Sequence, residues 1–320
     1  MRPRILVAEP KDFSPDAVKI LEEAGQVELR ACGRDELASA FGQYDVIWFR
    51  LAHRIDREML SDSPRCRILA TAVTGLDHID LEACQERNIR VVSLRGEVDF
   101  LTQVRATAEL TIGLTLALLR RIVPASQSVK AGRWDRDLFR GREIFGKTIG
   151  LVGMGRLGTL VAGYFSALGG QVLGYDPRED FPEGSAQRVG SLEELFASSD
   201  IISLHPSYSH ATRHLVGQNE LAAARPGAVL INTSRGGIVD ESALLNALRS
   251  GRLSGGALDV LEGEPGIAAD HPLVAYAREH ENLLIVPHIG GNTSESFDKT
   301  ERFLARRVVE ALADRNEAPQ

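Results

Sequence analysis

Cysteine is scarce in this chain and poorly placed for cross-linking. The three residues Cys32, Cys66 and Cys84 are odd in number, widely spaced and without a CxxC pair, which argues against a disulfide framework and a structural zinc site. Reduced cytosol, hence a cytoplasmic protein, is the expectation that follows. An excess of positive charge is also missing: 37 Lys and Arg face 44 Asp and Glu, for a formal net charge of −7. Nucleic acid and anionic membrane surfaces are therefore poor partners, and an anionic ligand must be met by local cations. Long apolar runs are absent. The longest, Leu110 to Leu119, is bounded by Glu109 and by Arg120 and Arg121, far short of the roughly 18 residues that span a bilayer. The N-terminal MRPRILVAEPKDF reaches Glu9 and Lys11 too soon to hold a secretory h-region, so it reads as a first strand. No repeat or low-complexity tract is visible, and only the NEAPQ end has the composition of a disordered terminus.

What is present is ordinary globular material. The chain of 320 residues is 43% hydrophobic and 25% charged, enough for two domains at about 150 residues each. Strand-like runs alternate with helical ones: Ile5 to Ala8, a helix at Ala17 to Ala24, Val27 to Ala31, a helix at Glu36 to Phe41, Asp45 to Phe49, Arg67 to Ala72, a helix start at Asp80 to Cys84, and Ile89 to Val92. This alternation predicts βαβ units and a parallel sheet. A helix over Arg105 to Ile122 follows, where the chain is expected to cross between domains. A second series then runs through Thr148 to Val152, Val172 to Tyr175, Ile201 to Leu204, Ala228 to Asn232, Gly256 to Asp259 and Leu283 to Val286. Six such runs predict a doubly wound sheet. The last helix, Glu301 to Ala313, is placed to return to the first domain. The expectation is an α/β protein with two Rossmann-like domains, 1–100 plus 292–320 and 101–291.

Gly153, Gly155 and Gly158 form G-x-G-x-x-G between the strand TIGLV and the helical LVAGYFSALGG. Such a turn lets backbone approach a pyrophosphate and aims helix N-terminal N–H groups at it. Asp176 stands eighteen residues past Gly158, at the end of the next strand, where a carboxylate accepts hydrogen bonds from ribose hydroxyls. A carboxylate there repels a 2′-phosphate and selects NAD, with Arg178 two residues later opposing that selection in part. Asp176 also has a plainer reading as the turn residue before Pro177.

A hydride-carrying coenzyme needs a proton donor, an anion clamp and a group that favours the charged donor. Arg235 lies just beyond the strand Ala228 to Ile231, Asp259 closes the next strand, Glu264 follows in EGEP, and His288 ends the last strand in PHIGG. All leave the same sheet edge, where ligands of open α/β sheets bind. Taken singly, Arg235 reads equally well as a surface cation, Glu264 as a loop carboxylate and His288 as a satisfied strand-end histidine. His78, His205, His210 and His214 have no carboxylate or cysteine at metal spacing, so no metal is expected.

On these residues the sequence resembles the D-isomer-specific 2-hydroxyacid dehydrogenases, in particular their D-3-phosphoglycerate dehydrogenase branch. The matching stretches are TGLDHID (74–80), ATAELT (106–111), RWDRDLFRGREIFGKTIGLVGMGRLG (133–158), SRGGIVDESALLNAL (234–248), GALDVLEGEP (256–265) and PHIGG (287–291). The resemblance implies an active site between two domains, with Arg235 holding the substrate carboxylate and carbonyl, His288 as acid/base and Glu264 as its partner. It also implies NAD held by Gly153, Gly155, Arg156, Leu157, Gly158, Asp176, Thr74, Thr107, His205, Pro206, Thr233, Asp259 and Gly290. Substrate would meet Val73, Thr74, Gly75, Arg235, His288 and Arg50, the last approaching a substrate phosphate. Arg136 is either a contributor to a partner's site or a surface cation. The implied partners are a small anionic 2-oxoacid or 2-hydroxyacid and a second copy in a homodimer.

The stretch LRGEVDFLTQVR (94–105) departs from the family pattern, a shorter Pro- and Gly-containing loop, and leaves the oxoacid open. Three functions stay in view: hydride transfer between NAD and 3-phosphoglycerate/3-phosphohydroxypyruvate; the same chemistry on hydroxypyruvate, glyoxylate or a phosphonate analogue; and, in another class, an NAD(H)-sensing corepressor-like binding protein. The chain is expected to be a short form without a serine-binding regulatory domain.

Overall fold

The computed structural model describes residues 2–314, and the NEAPQ end lies outside them. The chain divides into two compact units, one holding Met1–Val104 and the chain from Asn292, the other Arg105–Gly291. The first comprises β1 (Arg4–Val7), α1 (Pro15–Ala24), β2 (Gln26–Leu29), α2 (Arg34–Ala40), β3 (Val46–Trp48), β4 (Ile68–Thr71), α3 (Leu81–Glu86), β5 (Arg90–Ser93) and α4 (Val98–Leu101). Its five strands pair in parallel in the order β2-β1-β3-β4-β5. The central strands are buried on both faces, Ile5 to Val7 and Val46 to Trp48 having no exposed surface, as helix-covered parallel strands must be.

The second unit opens with α5 (Ala106–Leu119) and α6 (Ile122–Lys130). It continues through β6 (Thr148–Val152), α7 (Arg156–Ala167), β7 (Gln171–Tyr175), β8 (Gln187–Arg188), α8 (Leu192–Ser198), β9 (Ile201–Leu204), α9 (Gln218–Ala223) and β10 (Ala228–Asn232). The series ends with α10 (Glu241–Arg249), β11 (Leu253–Leu258), α11 (Pro272–Glu279) and β12 (Leu283–Ile285). Its sheet is parallel throughout in the order β12-β11-β10-β9-β6-β7-β8. The order reverses at β6, which pairs β7 on one side and β9 on the other, so a crevice opens beyond the carboxyl ends of β6 and β9. The final helix α12 (Ser294–Ala313) packs on α1 in the first unit, burying Leu304, Ala305 and Val308 completely.

Four expectations need correction. The helix expected over 105–122 stops at Leu119 and α6 begins at Ile122, because Arg121 adopts a left-handed φ of 52°, which breaks a right-handed helix. The first unit runs on to Val104 rather than ending at residue 100: α4 buries Leu101 in the first core, and Phe100 stacks on Phe303 of α12 at 3.8 Å. The last helix starts seven residues earlier than expected, where the Thr293 side chain accepts the Ser296 N–H at 3.1 Å as an N-cap. Strand β8 was not expected, since two exposed polar residues carry no apolar alternation. Among the described residues no helix is long and apolar enough to cross a membrane.

Candidate active site

The turn after β6 is held by close packing. Gly153 has φ 87°, and a Cβ there would lie 2.7 Å from Pro206 N and 2.8 Å from His205 C, just past β9. A Cβ on Gly158 would fall 2.0 Å from Gly153 O. Only glycine fits both places. Gly155 caps α7 and would meet nothing nearer than Arg178 Nη2 at 4.0 Å, which leaves its backbone open to a ligand. Arg156 and Leu157 begin α7 behind it, so the first helical N–H groups face the crevice edge.

Asp176 follows β7 and is nearly buried. Its carboxylate accepts the Met154 N–H at 2.8 Å, the Arg178 N–H at 3.0 Å, and Arg178 Nε and Nη2 at 3.0 Å each. Burial opposes ionisation, but the Arg178 guanidinium and these N–H groups outweigh it and hold the carboxyl below the usual range. Asp176 thus braces the glycine turn through Met154, and its charge is already paired with Arg178. His205 contacts Ser203 Oγ through Nε2 at 2.9 Å, and its Nδ1 is buried without a partner among the described residues. Burial pulls this ring down to about 4, so it is neutral near pH 7. An open glycine cradle, a strand-end carboxylate and an unsatisfied ring nitrogen fit a dinucleotide.

Beyond β10, Asn232 shapes the next turn: its Oδ1 accepts the Ser234 N–H at 3.0 Å and its Nδ2 donates to the Arg235 carbonyl at 2.9 Å. Ser234 Oγ donates to Pro206 O at 2.6 Å, tying this turn to that of β9, and Thr233 shares a 2.8 Å hydrogen bond with Thr111 of α5. Asp259, one residue past β11, is 1% exposed. It accepts the N–H groups of Ile289 at 2.6 Å and Gly290 at 2.8 Å, while its carbonyl accepts the His288 N–H at 2.7 Å. His288 sits at φ 52°, a conformation that a non-glycine residue holds only when its surroundings enforce it. Its Nδ1 lies 2.9 Å from Glu264 Oε1, with both side chains about one quarter exposed. A donor Nδ1–H in that contact leaves Nε2 for other chemistry. Thr107 packs beside Gly290, its Oγ1 3.3 Å from where a Cβ would be.

The seven-stranded sheet therefore brings the glycine turn, Asp176, His205, Pro206, Thr233, Arg235, Asp259, His288 and Gly290 to the carboxyl ends of its strands. Residues 112–290 match the family described as D-isomer specific 2-hydroxyacid dehydrogenase, NAD binding domain. The chain belongs to this family. It is 35% identical over 314 residues to the D-3-phosphoglycerate dehydrogenase of Methanocaldococcus jannaschii, covering 97% of this chain but 57% of that protein; it thus spans little more than half the length of that relative. It is 32% identical to the hydroxypyruvate reductase of Thermotoga maritima, over 97% of this chain and 99% of the relative. Among solved structures, D-lactate dehydrogenase from Aquifex aeolicus complexed with NAD and lactic acid superimposes with a TM-score of 0.83 at 29% identity, covering 98% of this chain and 96% of that one. The resemblance read from the motifs is borne out, as are the fold class and NAD as the coenzyme of this domain.

Val73, Thr74, Gly75 and Arg50 belong to the other unit, past β4 and β3 of its sheet. Arg50 is heavily engaged there. Its Nε and Nη2 donate to Glu301 Oε1 at 3.0 and 2.5 Å, its Nη1 donates to the Lys11 carbonyl at 2.8 Å, and its guanidinium lies 4.3 Å from the Phe297 ring centroid. Glu301 has no exposed surface, and burial pushes its carboxyl above the usual range against the pull of the Ser14 amide and Arg50. The charge of Arg50 is thereby neutralised within its own unit. Sequence reading also missed Glu241, Glu262, His271 and His214, which surround the Arg235 and Glu264 turns; of these only Glu241 and Glu262 lay in motifs.

Two outcomes follow. Arg50→Ala strands a buried carboxylate, so the first unit should lose about 3 to 5 kcal/mol of stability. The deficit is largest at alkaline pH and shrinks as pH falls and Glu301 takes up a proton, because a raised carboxyl costs stability once ionised; denaturant unfolding at pH 8 and pH 5 checks this. Burial pushes Asp259 up to about 6, with Glu264 adding to the rise and the Ile289 and Gly290 amides and His288 opposing it. Its contribution is present at acid pH and is lost as pH rises from the usual carboxylate value through about 6. Asp259→Asn should abolish that slope in the unfolding transition of the second unit, whatever its absolute stability.

Proposed function

We propose that this chain is an NAD-dependent D-2-hydroxyacid dehydrogenase acting on a small anionic 2-hydroxyacid/2-oxoacid pair. The observation that carries the reading is the 2.9 Å His288–Glu264 pair, on the same sheet edge as the glycine turn and Arg235. NAD, when bound, supplies the hydride acceptor or donor. The 153–158 turn would receive the pyrophosphate, Asp176 the ribose hydroxyls, and Thr107, His205, Pro206, Thr233, Asp259 and Gly290 the remainder. Arg235 presents a planar fork suited to a carboxylate and its neighbouring carbonyl. In reduction His288 delivers a proton from Nε2 to the carbonyl oxygen, and in oxidation it removes that proton from the hydroxyl. Glu264, bound to Nδ1, fixes the orientation of the ring.

Similarity to phosphoglycerate dehydrogenases makes 3-phosphoglycerate and 3-phosphohydroxypyruvate the first pair to test. A second reading, an oxoacid without phosphate such as hydroxypyruvate or glyoxylate, is favoured by the engagement of Arg50 with Glu301. A panel of 2-oxoacids followed at the NADH absorbance band separates them, and no turnover on any member, with NADH still bound, would indicate a coenzyme-sensing binding protein instead. His288→Ala should cut turnover by about 10²-fold or more while NADH affinity stays near wild type; unchanged turnover at saturation removes it as the acid.

The chain also pairs with a second copy of itself through α6 and the segment after it. Ile122, Val129, Trp134, Leu138 and Phe145 are all more than half exposed, Trp134 at 89% and Phe145 at 75%. Such a run of exposed apolar side chains is unusual on a monomer. Light scattering should give twice the chain mass of 34.9 kDa, and Trp134→Glu should shift it toward the single-chain value; a wild-type mass of one chain overturns the dimer.

A further inference from the structure

The turns that carry Arg235 and Glu264 touch through their backbones. A Cβ on Gly236 would lie 2.0 Å from Leu261 C and 2.2 Å from Glu262 N, so no side chain can separate them. Direct packing alone leaves the two turns free to slide, since van der Waals contact has little directionality. Directional bonds come from Glu262. Its carboxylate lies 2.9 Å from His214 Nε2 and 3.3 Å from Arg213 Nη2. His214 in turn donates its backbone N–H to Gly237 O at 2.8 Å, and Val216 donates to Ile238 O at 3.0 Å, so the 213–216 strip is stitched to the turn just after Arg235. On the other side the Glu262 N–H donates to Glu241 Oε1 at 2.8 Å, and Glu241 Oε2 lies 3.1 Å from His271 Nε2. The hydrogen bond to His214 is also the largest influence holding the Glu262 carboxyl below its usual range.

We propose that Glu262 is a positioning residue for the reaction: through His214 it clasps the Arg235 turn to the Glu264 turn, so that the anion clamp and the partner of His288 keep one register. The proposal rests on the dehydrogenase reading above for its kinetic consequence, but not for its structural one. The Glu262 carboxylate is held by His214 and Arg213, neither of which is among the residues assigned above to substrate or coenzyme. A shift of the order of an ångström between a substrate-orienting arginine and the acid/base pair costs about 10²-fold in rate, and the clasp stands between the two.

Kinetics and amide exchange on the full chain test it. Glu262→Ala should lower kcat by about tenfold to a hundredfold on the best 2-oxoacid, with NADH affinity within about twofold of wild type because the 153–158 turn and Asp176 lie elsewhere on the edge. Glu262→Gln keeps an acceptor for His214 and should recover most of the loss. His214→Ala should match Glu262→Ala, and the double variant should be no worse than either, as expected of one shared interaction. Wild-type kcat in Glu262→Ala, equal losses in Ala and Gln, or multiplying losses overturn the proposal. If Glu262→Ala does not fold, the Gln and His214 variants decide the matter. Exchange protection of the His214 and Val216 amides should fall at least tenfold in His214→Ala and Glu262→Ala relative to α7; undiminished protection overturns the clasp. This readout needs no turnover, so it separates failure of the clasp from failure of the dehydrogenase reading.

Discussion

One buried carboxylate holds the last turn of the second unit to its sheet. Asp259 accepts two consecutive N–H groups, from Ile289 and Gly290, while its own carbonyl takes the His288 N–H. Those three bonds enforce the left-handed backbone of His288, a conformation that a lone histidine would leave. From that backbone the ring places Nδ1 2.9 Å from Glu264 Oε1. Burial keeps the carboxyl of Asp259 unusually easy to protonate, so the anchor is itself a titrating group within the turn it organises.

The coenzyme side of the edge shows the same economy. Asp176 braces the glycine turn through the Met154 amide while a bidentate Arg178 compensates its charge. A carboxylate neutralised in this way repels a 2′-phosphate less than a bare one would, so any selection at this position rests on the pair rather than on Asp176 alone. Gly153 locks the turn against the His205–Pro206 peptide, and Ser234 ties Pro206 to the turn that carries Arg235. Successive strand ends are thus bonded to one another, and side chains from four loops hold their places on a rigid edge.

The two arginines singled out for anions have different surroundings. Arg235 lies on a turn whose carbonyl is held by Asn232, leaving its position defined by the sheet. Arg50 is bound to a carboxylate with no solvent exposure, on a helix that returns from the far end of the chain. Removing the charge of Arg50 disturbs the packing of α12 on its own unit.

Periodicity and turn residues were enough to read the two α/β units, since buried parallel strands are short apolar runs and helices between them repeat at 3.6. The motifs, each a contiguous run of sequence, carried the family, the glycine turn and the His288, Glu264 and Arg235 set. What the linear chain could not carry were pairings between distant residues. Arg50 with Glu301, Glu262 with His214 and Glu241 with His271 join positions separated by 30 to 251 residues and leave no local pattern. The break at Arg121, the two-residue β8 and the left-handed His288 were likewise decided by tertiary structure, because packing and long-range hydrogen bonds outweigh the few tenths of a kcal/mol by which local propensities differ.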